Sequence, residues 1–148
     1  MIPFYVMIAA MLVARGLGAL DVGALDGWQA SMRVGLAVMF LFTGLAHFTR
    51  TRADLIRMVP PGLPNPAALV TLTGIAELAG AIGLLLPGVA RWAAYGLMVL
   101  LFALYPANAY AAQSGLTIGG RPHTPFALRT LLQILWIWLL WWSTRTVG

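Results

Sequence analysis

Cysteine is absent from this 148-residue chain. With it go thiol–disulfide chemistry, iron–sulfur clusters and thiolate zinc sites, so a redox role requires a borrowed cofactor or partner. Lysine is absent too, and all nine basic residues are arginines. Glutamate occurs once, at Glu77, and aspartate only at Asp21, Asp26 and Asp54. Charged residues make up 9% of the chain, against about a quarter in a soluble domain. The net charge of +5 therefore rests on arginines at loops and segment ends, which suits lipid headgroups and snorkelling. No soluble basic domain is left for nucleic acid. Internal repeats and low-complexity tracts are missing as well.

What is present is apolar, at 61% hydrophobic residues, and it falls into runs. This composition predicts an integral membrane protein with a single membrane domain over residues 1–148. Residues 2–20 form a first apolar segment. Its one basic residue, Arg15, follows the apolar stretch instead of preceding it, which favours a retained helix over a signal peptide. A polar connection over residues 21–31 contains Gly23, Gly27 and Trp28, and Arg33 leads into a second segment over 34–48. A short interfacial helix is expected over 53–58, followed by an irregular proline-rich loop. Pro66 suits the first turn of a third segment that ends at Pro87 and Gly88. A fourth, over 91–113, holds Pro106 close to Asn108 and is expected to bend there. A glycine-rich turn over 114–125 carries Arg121 and His123, and a last segment covers 126–143. The fold class is all-α: a four-transmembrane-helix bundle with an additional N-terminal apolar helix.

Alternating crossings put the connections on two sides. Side X holds loops 49–65 and 114–125, and side Y holds the others. Trp28, Trp92, Trp141 and Trp142 all fall on side Y, as an interfacial aromatic belt would. Arginines do not orient the chain, because Arg50, Arg52, Arg57 and Arg121 on X balance Arg15, Arg33, Arg91 and Arg145 on Y.

Glu77 lies near the middle of residues 69–87, where an acid is costly and marks function unless it is held by a partner. At about 1.5 Å per residue it sits roughly 16 Å from side X, Gln133 roughly 12–14 Å, and Asn108 and Arg129 roughly 8 Å. His47 is close to the rim. Arg129 and Gln133 share a helix face, as do Thr43 and His47, and Thr73 and Glu77. Converging faces would line a pocket open at X with Glu77 as its floor and Arg129 as its counter-charge. Gln133 and Asn108 would add donors and acceptors, since hydrocarbon offers no water.

Plainer roles stand beside these. Glu77 with Arg129 can be a clamp between helices, Asn108 and Gln133 interhelical glue, and His47 an interfacial residue with a satisfied hydrogen bond. A bis-histidine haem would need both His47 and His123, neither fixed on a core face. Gly74, Gly80 and Gly83 suit close helix packing and lack the strand and lysine of a phosphate loop. Trp136 and Trp138 are expected to face lipid or packing, and Arg50, Arg52 and Arg57 to form a headgroup-binding collar.

The runs GLAHF, MVPPGLP, GIAELAGAIGLLLP, YPANAY and RTLLQ, in this order over about residues 32–143, resemble the DoxX-like family of small membrane proteins. The resemblance implies a four-helix membrane bundle, preceded here by an extra N-terminal helix. It also implies motif positions at His47, Glu77, Asn108, Arg129 and Gln133. Family members include a subunit associated with thiosulfate:quinone oxidoreduction, components of oxidative-stress membrane complexes and, more distantly, animal proteins that assist receptor assembly. The expected function is a quinone- or lipid-binding subunit supporting a redox complex in the bacterial cytoplasmic (inner) membrane. Its partners would be membrane lipids, a quinone, a redox protein and a second copy of the chain. The alternative is an assembly factor or interaction subunit with a structural polar cluster. A small transporter or autonomous enzyme ranks lower, since five short helices offer no obvious second gate.

Overall fold

In the computed structural model, helix ends fall where the chain can no longer continue a helix or finds a cap. The structure describes residues 1–20, 25, 27–122 and 124–145. Asp21, Gly23, Asp26 and His123, placed in connections by the sequence, lie outside the described residues.

Helix α1 (Ile2–Gly18) carries Pro3 in its first turn, where a missing N–H costs nothing. Helix α2 (Trp28–Ala46) starts earlier than the expected residue 34. The reason is that its polar first turns are satisfied: Ser31 donates to Gly27 O at 3.1 Å and Arg33 reaches Ser143 O at 3.0 Å. Gly27 supplies the entry at φ 103°, a conformation that side chains resist. The short α3 (Arg52–Met58) follows, then α4 (Pro66–Leu85), opened by Pro66 behind an Asn65 cap that accepts the Ala68 N–H at 3.4 Å. Helix α5 (Ala90–Gln113) runs through Pro106, and α6 (Phe126–Ser143) ends the fold.

Between α5 and α6, the expected glycine-rich turn is a small antiparallel hairpin of β1 (Thr117–Ile118) and β2 (Arg121–Pro122). Gly119 and Gly120 turn it at φ 58° and 73°, the two positive values a tight two-residue hairpin turn demands. The hairpin docks on α3, where Asp54 Oδ2 accepts the Gly119 N–H at 2.7 Å. That bond, helped by the Arg57 guanidinium, holds the Asp54 carboxyl below its ordinary range.

Helices α2, α4, α5 and α6 pack in that cyclic order, α6 closing back onto α2, while α1 lies outside against α2. The core is aliphatic and methionine-rich, with Met7, Leu36, Met39, Leu84, Leu97 and Leu140 fully buried. Contact between α1 and α2 is close: a Cβ at Gly35 would fall 2.7 Å from Met7 O. Gly80 and Gly83 do serve close packing, since a Cβ there would meet Leu97 at 2.5 Å and Ala93 at 2.7 Å on α5.

Among the described residues, α2, α4, α5 and α6 are long and apolar enough to cross a membrane. At 17 residues α1 is shorter, about 25 Å against the roughly 30 Å of a bilayer core. Large apolar side chains point outward, including Trp92 at 72% exposure and Val99 at 68%, while Glu77, His47 and Gln133 are buried. Apolar outside and polar inside is the arrangement a lipid environment favours.

Candidate functional site

The sequence-predicted polar residues form two centres on different helix pairs. The first joins α2 to α4. Thr43 and His47 are one turn apart at the end of α2 and face Thr73 and Glu77 on α4. Their approach depends on two glycines. A Cβ at Gly44 would lie 2.9 Å from the Leu78 side chain and 3.2 Å from Glu77 Cβ, and one at Gly74 would lie 2.6 Å from His47 Cβ. Glu77 Oε2 accepts from Thr43 Oγ1 at 2.5 Å, and Oε1 stands 3.7 Å from His47 Nε2. His47 Nδ1 is 2.7 Å from Val70 O. A carbonyl only accepts, so Nδ1 carries a hydrogen and Nε2 is the nitrogen that faces the carboxyl.

Arg52 reinforces this junction from side X. It donates to His47 O at 3.1 Å, to Ala67 O at 3.1 Å and to Thr71 Oγ1 at 2.9 Å, tying the end of α2 to the first turns of α4. The expected headgroup collar is corrected accordingly: Arg52 is a staple, Arg57 pairs with Asp54, and Arg50 alone of the three is free at the surface.

The second centre joins α5 to α6. Arg129 Nη2 donates to Asn108 Oδ1, Asn108 Nδ2 to Gln133 Oε1 at 3.4 Å, and Gln133 Nε2 to Leu101 O at 2.8 Å. Leu101 is next to Phe102, whose carbonyl loses its helical donor because Pro106 has no N–H. Arg129 Nε is buried without an acceptor, as is Trp136 Nε1 on the same α6 face, seven residues on. Trp136 packs against the core, in line with its expected lipid- or packing-facing role, and its indole N–H adds a donor to this face that the sequence reading did not single out. The residue spacing from Arg129 held the signal.

The expected Glu77–Arg129 ion pair does not form. Among the described residues the ion pairs are His47–Glu77 and Asp54–Arg57. The cause is helix order: α4 and α6 sit across the ring from one another, so the α2 histidine reaches Glu77 and the arginine does not. The five residues expected at side X are hydrogen-bonded in two groups, His47 and Glu77 at the α2–α4 junction and Asn108, Arg129 and Gln133 with one another. His47 commits one ring nitrogen to Val70 O and turns the other toward Glu77, an orientation that leaves no axial position for haem iron.

At side Y the end of α6 is held through its backbone. Gln29 donates to Trp142 O at 3.1 Å, Arg33 to Ser143 O at 3.0 Å and Arg91 to Arg145 O at 3.3 Å, which satisfies carbonyls that a helix end leaves open. Beside them is an open cleft of about 190 Å³ lined by Arg91, Tyr95, Trp141, Thr144 and Arg145.

A helical bundle with four span-length apolar helices and a few polar residues buried within an aliphatic core is the class these features define. The chain belongs to the family described as a domain of unknown function, DUF8561, which it matches over residues 36–144, from α2 to the end of α6. No curated protein and no solved structure matches it.

Proposed function

We propose that this chain is an integral membrane protein, DoxX-like in kind, whose α5–α6 centre binds a small acceptor-bearing ligand, a quinone or a lipid headgroup, in support of a membrane redox complex. The observation that carries this reading is the Arg129 guanidinium. It is largely buried, donates to one neutral amide, leaves Nε without an acceptor, and has no carboxylate within 4.0 Å among the described residues. A buried cation so poorly partnered costs several kcal/mol, and a quinone carbonyl or headgroup oxygen would supply the missing acceptor. Trp136 Nε1 offers a second donor on the same face. With Nε2 of His47 turned toward the Glu77 carboxyl, this pair could hold and pass a proton, the service a quinone site needs. A bacterial inner-membrane location and self-association belong to the same proposal.

The test is titration of the detergent-purified protein with short-chain benzoquinone and naphthoquinone analogues, followed by tryptophan fluorescence and melting temperature. Quenching is expected, with affinity weakened by about tenfold or more in Arg129→Gln, the scale of a lost hydrogen bond to a charged group. If neither signal moves in the wild-type protein, while native mass spectrometry finds no retained lipid, the reading fails.

One observation favours the alternative, an interaction or assembly subunit. The α2–α4 centre is fully partnered inside the bundle, as a structural clamp would be. Under that reading Glu77→Gln changes bundle stability, while partner capture depends on outward side chains and the loop over residues 49–65.

A further inference from the structure

We infer that the side Y cleft between the start of α5 and the end of α6 is a binding site for the phosphate of an anionic membrane lipid. It is separate from the α5–α6 polar centre, near the opposite ends of the same helices. Two guanidiniums line it. Arg145 lies over the Trp141 ring at 4.6 Å, and a guanidinium stacked on its flat face keeps its in-plane N–H groups pointing outward. Arg91 gives one Nη2 hydrogen to Arg145 O at 3.3 Å and retains its other donors. Neither arginine is paired with a carboxylate among the described residues, where Asp54 is held by Arg57 and Gly119, and Glu77 by Thr43 and His47. Positive charge with unused, forked donors is the recognition chemistry of a phosphate oxygen pair.

The cleft also has the size and setting for that group. Its volume of about 190 Å³ is several times the roughly 30 Å³ that one water takes, so a phosphate fits with some of its hydration. Tyr95 and Trp141 form the apolar wall, with Trp92 packed edge-on to Tyr95 at 6.0 Å. Such aromatics belong at the headgroup level, where a lipid phosphate also lies. Preference for an anionic headgroup over phosphocholine follows from the lining, which among the described residues contains two arginines and no acid. A choline cation would meet two arginines and find Trp141 already covered by one of them.

Purified protein reconstituted in bilayers of equal phosphatidylglycerol and phosphatidylcholine would be released and weighed by native mass spectrometry. Retained phosphatidylglycerol should exceed phosphatidylcholine in the wild type. The ratio should fall about fivefold for each of Arg91→Gln and Arg145→Gln, in keeping with the electrostatic attraction of one surface arginine. Arg145→Gln removes a largely exposed side chain, so its lipid-free melting temperature should match the wild type and keep the comparison valid if Arg91→Gln misfolds. An unchanged ratio in Arg145→Gln overturns the inference. So does an equal fall in Arg50→Gln, at the far end of the bundle, since that would mark a general charge effect. Displacement of the lipid by millimolar inorganic phosphate would point to a free-phosphate site and refute the lipid assignment.

Discussion

The two polar centres are built from different residues, an acid, a histidine and hydroxyls in one and amides, a guanidinium and an indole in the other, and they differ above all in completeness. Between α2 and α4, every group at the junction has an internal partner: Thr43 on Glu77, His47 on Val70 O and Glu77, Arg52 on His47 O. Between α5 and α6, a cation donates to one amide, and Arg129 Nε and Trp136 Nε1 find nothing. The first centre is finished by the fold. The second leaves donors open, and the proposed ligand is assigned there and not to the glutamate, although the glutamate is the more conspicuous residue in the sequence.

The largest effects should come from treating the centres alike. Glu77→Ala leaves Thr43 and His47 without their shared acceptor and opens a void, so it should destabilise the bundle by about 3 kcal/mol or more. Arg129→Met removes a cation with no counter-charge among the described residues and should be neutral or stabilising by about 1 kcal/mol or more, while abolishing the proposed ligand binding. Melting temperatures in one detergent would decide; equal losses from both substitutions would erase the distinction between the centres.

A smaller effect tests how the finished centre is assembled. Gly74→Ala places a methyl 2.6 Å from His47 Cβ, where neither backbone can easily yield, and should cost about 1–3 kcal/mol. Gly96→Ala, with nothing within 4 Å, should cost nothing and serves as the control. If the two variants melt together, the glycine contact is not what sets the α2–α4 spacing.

The smallest effect lies outside both centres. Asp54 has its carboxyl held low by the Gly119 N–H, so its contribution is present above the ordinary carboxylate range and lost as pH falls through the lowered value. The protection of the Gly119 amide against hydrogen exchange, referred to its intrinsic rate at each pH, should therefore fall on acidification. In Asp54→Asn it should be low at every pH, and an acid-insensitive wild-type protection would show that the hairpin is docked by other contacts.

Much of this arrangement was legible in the chain. Apolar runs placed α4, α5 and α6 within a few residues, and the cost of polar groups in hydrocarbon singled out Glu77, His47, Asn108, Arg129 and Gln133. Depth and face follow from 3.6-residue periodicity, so Arg129 and Gln133 could be paired, as could Thr43 and His47. Ring order does not follow from periodicity. Whether α4 neighbours α6 or α2 is decided by packing over the whole bundle, and the wrong counter-charge was assigned for that reason. Arg52 was misread for a related one: loop arginines resemble lipid ligands until the backbone carbonyls they cap are placed beside them. The hairpin carried a usable signal in Gly119-Gly120 between short β-compatible flanks.

The fastening of α6 at side Y has a consequence for how this chain can vary. Its acceptors are the main-chain oxygens of Trp142, Ser143 and Arg145, which persist whatever side chain stands there, whereas its donors are the particular side chains of Gln29, Arg33 and Arg91. Substitutions are thus asymmetric across one interface. The clasp does not read the chemistry of residues 142 and 143, which packing alone confines, while the α2 and α5 residues that grip them cannot be exchanged for shorter ones.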